Sequence, residues 1–131
     1  MQSYKELTVW QKSMSLVTSV YSVTGDFPRD EMYGLTSQVR RSAVSVPSNI
    51  AEGQGRATKG EFVQFLCHAR GSLFELETQI LLAKRLGYLQ PRESSDLLEA
   101  LTEVARILNG LLSSLGPPAR KLSTNHYSLS T

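Results

Sequence analysis

Four basic side chains, Arg40, Arg41, Arg56 and Lys59, are the candidates for contact with nucleic acid, because their chemistry suits the capture of phosphate. A guanidinium presents paired N–H donors that fit a phosphate or a carboxylate in bidentate fashion. Nine of the fourteen Lys and Arg residues are arginine, yet the formal net charge is only +2. That balance excludes a uniformly basic surface. It leaves room for a local patch that an assembly repeats by symmetry. Further basic residues are Arg29, Arg85 and Arg120-Lys121. No helix-turn-helix or other DNA-reading module accompanies them. Binding to RNA or DNA would therefore run through the backbone and weaken steeply with salt.

A second set of polar residues lies on one helical side. At about 100° per residue, Gln38, Arg41, Ser45, Ser48, Asn49, Glu52 and Arg56 cluster together, away from the apolar positions. Small residues there allow close approach of another helix, across which Arg, Asn and Glu can hydrogen-bond. Arg41, Asn49, Glu52, Arg70 and Glu77 are the expected polar network between helices or subunits. The competing readings turn the same line toward a groove or pore that holds a ligand, or leave it in solvent. Arg70 and Glu77 stand about 10 Å apart along one helix, so each needs another partner if buried. Arg41 or Arg56 for Glu77, and Glu52 for Arg70, are the candidates.

Other chemistry fails its tests. Gly53-Gln54-Gly55-Arg56-Ala57-Thr58-Lys59-Gly60 lacks the Gly-Lys-Ser/Thr order of a phosphate loop and follows a helix rather than a strand. The two histidines, His68 and His126, do not follow a glutamate at di-iron spacing, so no metal site is expected. Cys67, the only cysteine, diverges from His68 on a helix and reads as a small apolar packing residue. No catalytic residue and no cofactor are expected, and the chain does not read as an enzyme.

These residues ride on four amphipathic helices. The first runs over Leu7–Val23 with Trp10, Met14, Val17 and Tyr21 on one face, and ends at Gly25. The second starts near Asp30 and carries Met32, Leu35, Val39, Ala43, Val46 and Ile50, with a kink expected at Pro47 and a break at Gly53 and Gly55. Thr58 and Glu61 form a capping box for the third helix. That helix extends to about Leu86, where Gly87 makes a left-handed turn. Pro91 opens the fourth, with Leu97, Leu101, Val104, Leu108, Leu111 and Leu115 spaced by four and three. The fold class is all-α, an antiparallel up-down four-helix bundle over residues 1–116. The Ser/Thr-rich segment 117–131 reads as a tail without structure of its own.

Helix three carries one stripe too many. Phe62, Leu66, Ala69, Leu73, Leu76, Ile80 and Ala83 form its core seam, and Val63, Cys67, Phe74 and Leu81 run beside it. An outer helix needs one stripe about 100° wide. The excess predicts self-association, and Gly71, opposite the seam, suggests a backbone approaching there. No stretch is apolar and long enough to span a bilayer, and MQSYKELTVW lacks the apolar core of a secretory signal. A cytoplasmic location is expected.

An ordered set of motifs carries a family resemblance. It begins at Leu7-Thr8-Val9-Trp10-Gln11-Lys12 and passes through Phe27-Pro28, Tyr33-Gly34-Leu35-Thr36 and Gln38-Val39-Arg40-Arg41. Its most specific part is Ser45-Val46-Pro47-Ser48-Asn49-Ile50-Ala51-Glu52-Gly53 with Gly55-Arg56. Ala69-Arg70-Gly71-Ser72-Leu73, Glu75-Leu76-Glu77 and Leu86-Gly87-Tyr88-Leu89 complete it. This set resembles the four-helix bundle family named after the 23S rRNA intervening-sequence protein. The resemblance implies a ring-shaped homo-oligomer, commonly a pentamer, and brings no catalytic residues. Similar proteins are accessory factors of diversity-generating retroelements, in which a basic ring binds nucleic acid and a reverse transcriptase. The expected function is a ring-forming scaffold for RNA or a ribonucleoprotein. The alternative is an adaptor that binds only a protein partner.

Overall fold

A computed structural model describes residues 3–116. The segment expected to be a tail, 117–131, lies outside the described residues, as do His126 and Arg120-Lys121. Four helices follow one another: α1 (Thr8–Thr24), α2 (Leu35–Gln54), α3 (Lys59–Arg85) and α4 (Pro91–Ser114). Short 3-10 turns at Tyr4–Glu6 and Arg29–Glu31 precede α1 and α2. Each helix packs on its neighbours in the cycle α1, α2, α3, α4, and the backbones of the diagonal pairs stay farther apart. With short connections this is the expected four-helix bundle, and no strand occurs among the described residues.

The core confirms three of the four expected faces. Leu35, Val39, Ala43, Val46 and Ile50 of α2 are buried, as are Leu66, Ala69, Leu73, Leu76, Ile80 and Ala83 of α3 and Leu97, Leu101, Val104 and Leu108 of α4. Each such leucine contributes roughly 1.5–3 kcal/mol by leaving water. Phe62, Leu111 and Leu115 pack at the margin of this core.

Helix α1 turns a different face inward than its apolar spacing predicts. Val9, Ser13, Leu16, Val20 and Thr24 are buried, whereas Met14 and Tyr21 are exposed and Trp10 and Val17 lie only partly covered. Two hydroxyl residues reach the interior because each bonds its own helix. Ser13 Oγ donates to the Trp10 carbonyl at 2.9 Å, and Thr24 Oγ1 to the Val20 carbonyl at 2.8 Å. Satisfied in this way, they are no costlier to bury than small apolar residues.

The start of α2 also differs. Instead of a helix from Asp30, the chain makes one 3-10 turn, and Met32 stays 54% exposed rather than joining the core. The Glu31 carboxylate accepts the Leu35 N–H at 3.0 Å and so caps the helix from outside. The helix is continuous through Pro47, which is buried, and Gly53 remains inside it. A Cβ on Gly53 would stand 2.7 Å from Phe65 Cβ, so the close approach of α2 to α3 there requires glycine.

At the start of α3 half of the expected capping box forms: Thr58 Oγ1 accepts the Glu61 N–H at 3.1 Å, but the Glu61 side chain does not return a bond to the Thr58 N–H. The C-terminal end follows the sequence. Gly87 adopts φ 80°, with Tyr88 N–H bonded to the Ala83 carbonyl at 2.9 Å. Cys67 is exposed rather than packed, because it lies off the buried seam. At α4 the Gln90 N–H donates to Glu93 Oε1 at 2.8 Å, a cap next to Pro91 that the proline alone did not announce.

Candidate functional site

The four predicted phosphate-binding residues fall into two groups rather than one patch. The last residue of α2, Gln54, lies roughly 20 Å along the helix from Arg41, at ~1.5 Å per residue, and Arg56 follows just beyond that end. Arg40 and Arg41 line a groove of about 950 Å³ between the end of α1 and the start of α2. Its other walls include Tyr21, Thr24, Arg29, Met32, Tyr33, Thr36 and Val44. Three arginines line this groove, and no carboxylate does.

Within the groove the two adjacent arginines differ. Arg40 is fixed: its Nε donates to Thr24 Oγ1 at 2.8 Å and its terminal nitrogen to the Tyr21 carbonyl at 3.4 Å. Its guanidinium also stacks 4.4 Å from the Tyr21 ring centroid. Arg40 thereby ties α2 to α1. Arg41 and Arg29 are exposed and make no ion pair among the described residues, so their donors remain available. Tyr33 is 93% exposed at the rim. Thr36 is 7% exposed, and its Oγ1 has no hydrogen-bond partner.

The second group is partly neutralised. Arg56 pairs with Glu52 at 3.1 Å and stacks 4.7 Å from the Phe65 ring centroid. Lys59 is exposed at the start of α3 and makes no ion pair among the described residues.

The expected polar network divides along the helix packing. Asn49 Nδ2 donates to the Ser45 carbonyl at 2.8 Å and to Ser45 Oγ at 3.0 Å, and the Ser45 and Ser72 hydroxyls bond across α2 and α3 at 2.8 Å. The pairings of Glu77 with Arg41 or Arg56, and of Glu52 with Arg70, do not form within the protomer. Glu52 meets Arg56 on its own strand of chain, whereas Arg70 reaches α4 and donates to Asn109 Oδ1 at 3.5 Å. Glu77 is half-buried and has no ion pair among the described residues.

Sequence reasoning did not single out Tyr21, Tyr33 and Thr36 as groove residues. Tyr33 directly after Met32 in a proline-preceded turn was the available signal, since two large apolar residues there cannot both enter a core. Among the described residues no group of three His, Cys, Asp or Glu side chains could hold a metal ion. No described helix is long and apolar enough to cross a membrane.

The bundle, with its Ser45–Gly53 motif on α2 and the glycine-mediated contact at Phe65, belongs to a class defined by sequence as well as by fold. The chain matches the 23S rRNA-intervening sequence protein family over residues 5–110 and is a member of it. Among solved structures it is similar to a Bacteroides thetaiotaomicron protein of unknown function from the S23 ribosomal protein family, with a TM-score of 0.75 and 20% identity. That match covers 80% of this chain and 98% of the other. No curated protein matches the chain significantly.

Proposed function

We propose that this protein is a non-enzymatic, self-associating helical scaffold that binds RNA or a ribonucleoprotein through arginine contacts repeated by symmetry. The observation that carries this reading is the α1–α2 groove, where Arg29, Arg40 and Arg41 gather with no carboxylate among them. An overall charge of +2 becomes a strong local field where such a groove recurs around a ring. The family's name, which refers to sequences intervening in 23S rRNA, agrees with an RNA context. Self-association, with a pentameric ring as the expected form, is supported by the apolar side chains of α1 that the core leaves outside. Trp10, Met14 and Val17 line a shallow cleft with Val44, Pro47 and Ala51.

That same cleft favours the second reading, an adaptor for a protein partner, since it holds no charged residue. Size-exclusion light scattering on protein purified without nuclease separates the readings. A multi-protomer mass with excess absorbance at 260 nm is expected, and it should lose that excess in Arg29→Glu/Arg41→Glu. A nucleic-acid-free oligomer would shift the assignment to the adaptor. A monomer would remove the scaffold altogether. Met14→Glu should lower the mass while leaving helix content unchanged.

A further inference from the structure

We infer that the α1–α2 groove takes an unpaired strand of nucleic acid, with a base stacked on Tyr33 and its phosphates held by Arg29 and Arg41. The inference rests on the RNA-scaffold reading and specifies the form of nucleic acid and the residues that grip it. Arginines alone would serve any phosphate backbone, paired or not. The groove adds what only an unpaired strand can use.

Tyr33 is 93% exposed beside two arginines that have no acidic partner. An aromatic ring so placed has nothing of its own chain to pack on and offers a face to a splayed base. Bases inside a duplex are stacked on each other and cannot reach it. Tyr21 supplies a second aromatic wall, already carrying the Arg40 guanidinium 4.4 Å from its centroid. Arg40 bonded to Thr24 keeps that wall in place. Met32, 54% exposed, extends the apolar surface next to Tyr33.

Charge and exposed aromatic surface thus converge on a ligand that is both anionic and aromatic. A second copy of this chain would have to bring carboxylates to Arg29 and Arg41.

The test is fluorescence anisotropy at low salt, with a short dye-labelled oligouridylate and with the same strand annealed to oligoadenylate. The single strand should bind more tightly than the duplex. Tyr33→Ala should weaken single-strand binding roughly 5- to 150-fold, the range expected from loss of one base–aromatic stack, while Tyr33→Phe keeps it. Arg41→Glu should weaken binding and flatten its salt dependence. Circular dichroism controls for folding, which the exposed position of Tyr33 leaves undisturbed. Equal binding of strand and duplex, untouched by Tyr33→Ala, would overturn the stacking inference and leave the RNA scaffold standing. Failure of both probes to bind would remove the two readings together. A change of oligomeric mass in Tyr33→Ala, without loss of RNA affinity, would assign the groove to a second copy instead.

Discussion

The phenol of Tyr88 donates a 2.8 Å hydrogen bond to Glu31 Oε2 across 57 positions of chain. The other oxygen of the same carboxylate, Oε1, accepts the Leu35 N–H at 3.0 Å. Tyr88 also packs its ring on Phe27, with centroids 5.4 Å apart. One carboxylate therefore joins the α3–α4 connection to the N-terminus of α2, at the end of the bundle where the arginine groove opens. The shape of that groove depends on this joint, because Phe27, Met32 and Tyr33 belong to the segment it anchors.

The joint sets a pH window. The Leu35 N–H first, and the Tyr88 hydroxyl second, hold the Glu31 carboxyl below its ordinary range. The same bond, first among its causes, pushes the Tyr88 hydroxyl above its usual value. A depressed carboxyl contributes stability above its unfolded pKa and loses it as pH falls through the folded one. A raised tyrosine contributes below its unfolded pKa and loses it as pH rises through the folded one. The joint is thus complete between about pH 4.3 and about pH 10, the unperturbed values of the two groups. Glu31→Gln should remove the acid-side part of the stability profile, and Tyr88→Phe the alkaline-side part. Urea midpoints measured across that range check both. Profiles parallel to the unsubstituted protein would show that the joint carries no stability.

Arg40 and Arg41 are neighbours in sequence with opposite duties. Removing Arg40 breaks bonds to Thr24 and Tyr21 and leaves the buried Thr24 hydroxyl with only its own helix. Arg40→Ala is expected to cost about 1.5–3 kcal/mol, the range of a hydrogen bond to a charged group. Arg41→Ala should stay within about 0.5 kcal/mol, as at other open surface positions. Chemical denaturation of the two single variants measures the contrast. A double-mutant cycle with Thr24→Val then isolates the Arg40–Thr24 term.

Spacing revealed α3 and α4 because their buried positions are almost all aliphatic, and α2 because Leu35, Val39, Ala43, Val46 and Ile50 keep the helical spacing although Thr36 and Ser42 are buried beside them. It failed on α1, where two of the five buried residues, Ser13 and Thr24, are polar by type and satisfied by position. The rule that apolar side chains mark the core then selected Trp10, Met14, Val17 and Tyr21, which line surface grooves instead. The candidate site was legible only in part for a related reason. Sequence shows that Arg40 and Arg41 are basic, but only packing shows that one is held by Thr24 and the other is free. The Tyr88–Glu31 bond had no local signal, since nothing within a turn of either residue requires it.

Gly53 tests the α2–α3 contact. Its missing side chain lets Phe65 Cβ come within 2.7 Å of where a Cβ would stand, and Phe62 Cδ1 within 3.1 Å. Phe65 Cβ is fixed to the α3 backbone, so alanine must push the helices apart. Gly53→Ala is expected to destabilise the bundle by about 1–3 kcal/mol, as overpacking does. Thermal unfolding of the variant measures this. An unchanged midpoint would mean that the helices are not held at this distance.

Two other glycines separate the protomer from its assembly. Gly71 in α3 and Gly110 in α4 both lie inside helices, and beyond the backbone of their own helix nothing comes within 4 Å of where a Cβ would stand. In an isolated protomer alanine should stabilise each site equally, by about 0.5–1 kcal/mol, through reduced freedom of the unfolded chain. The self-association reading breaks this symmetry. If a second copy packs its backbone over Gly71, alanine there should give no gain and should shift the assembly toward smaller species. Gly110→Ala should give the full gain with the mass unchanged. Unfolding midpoints and light scattering on both variants decide the matter. Equal gains with equal masses would place the subunit contact elsewhere, and the exposed α1 stripe around Met14 would then be the surface to substitute next.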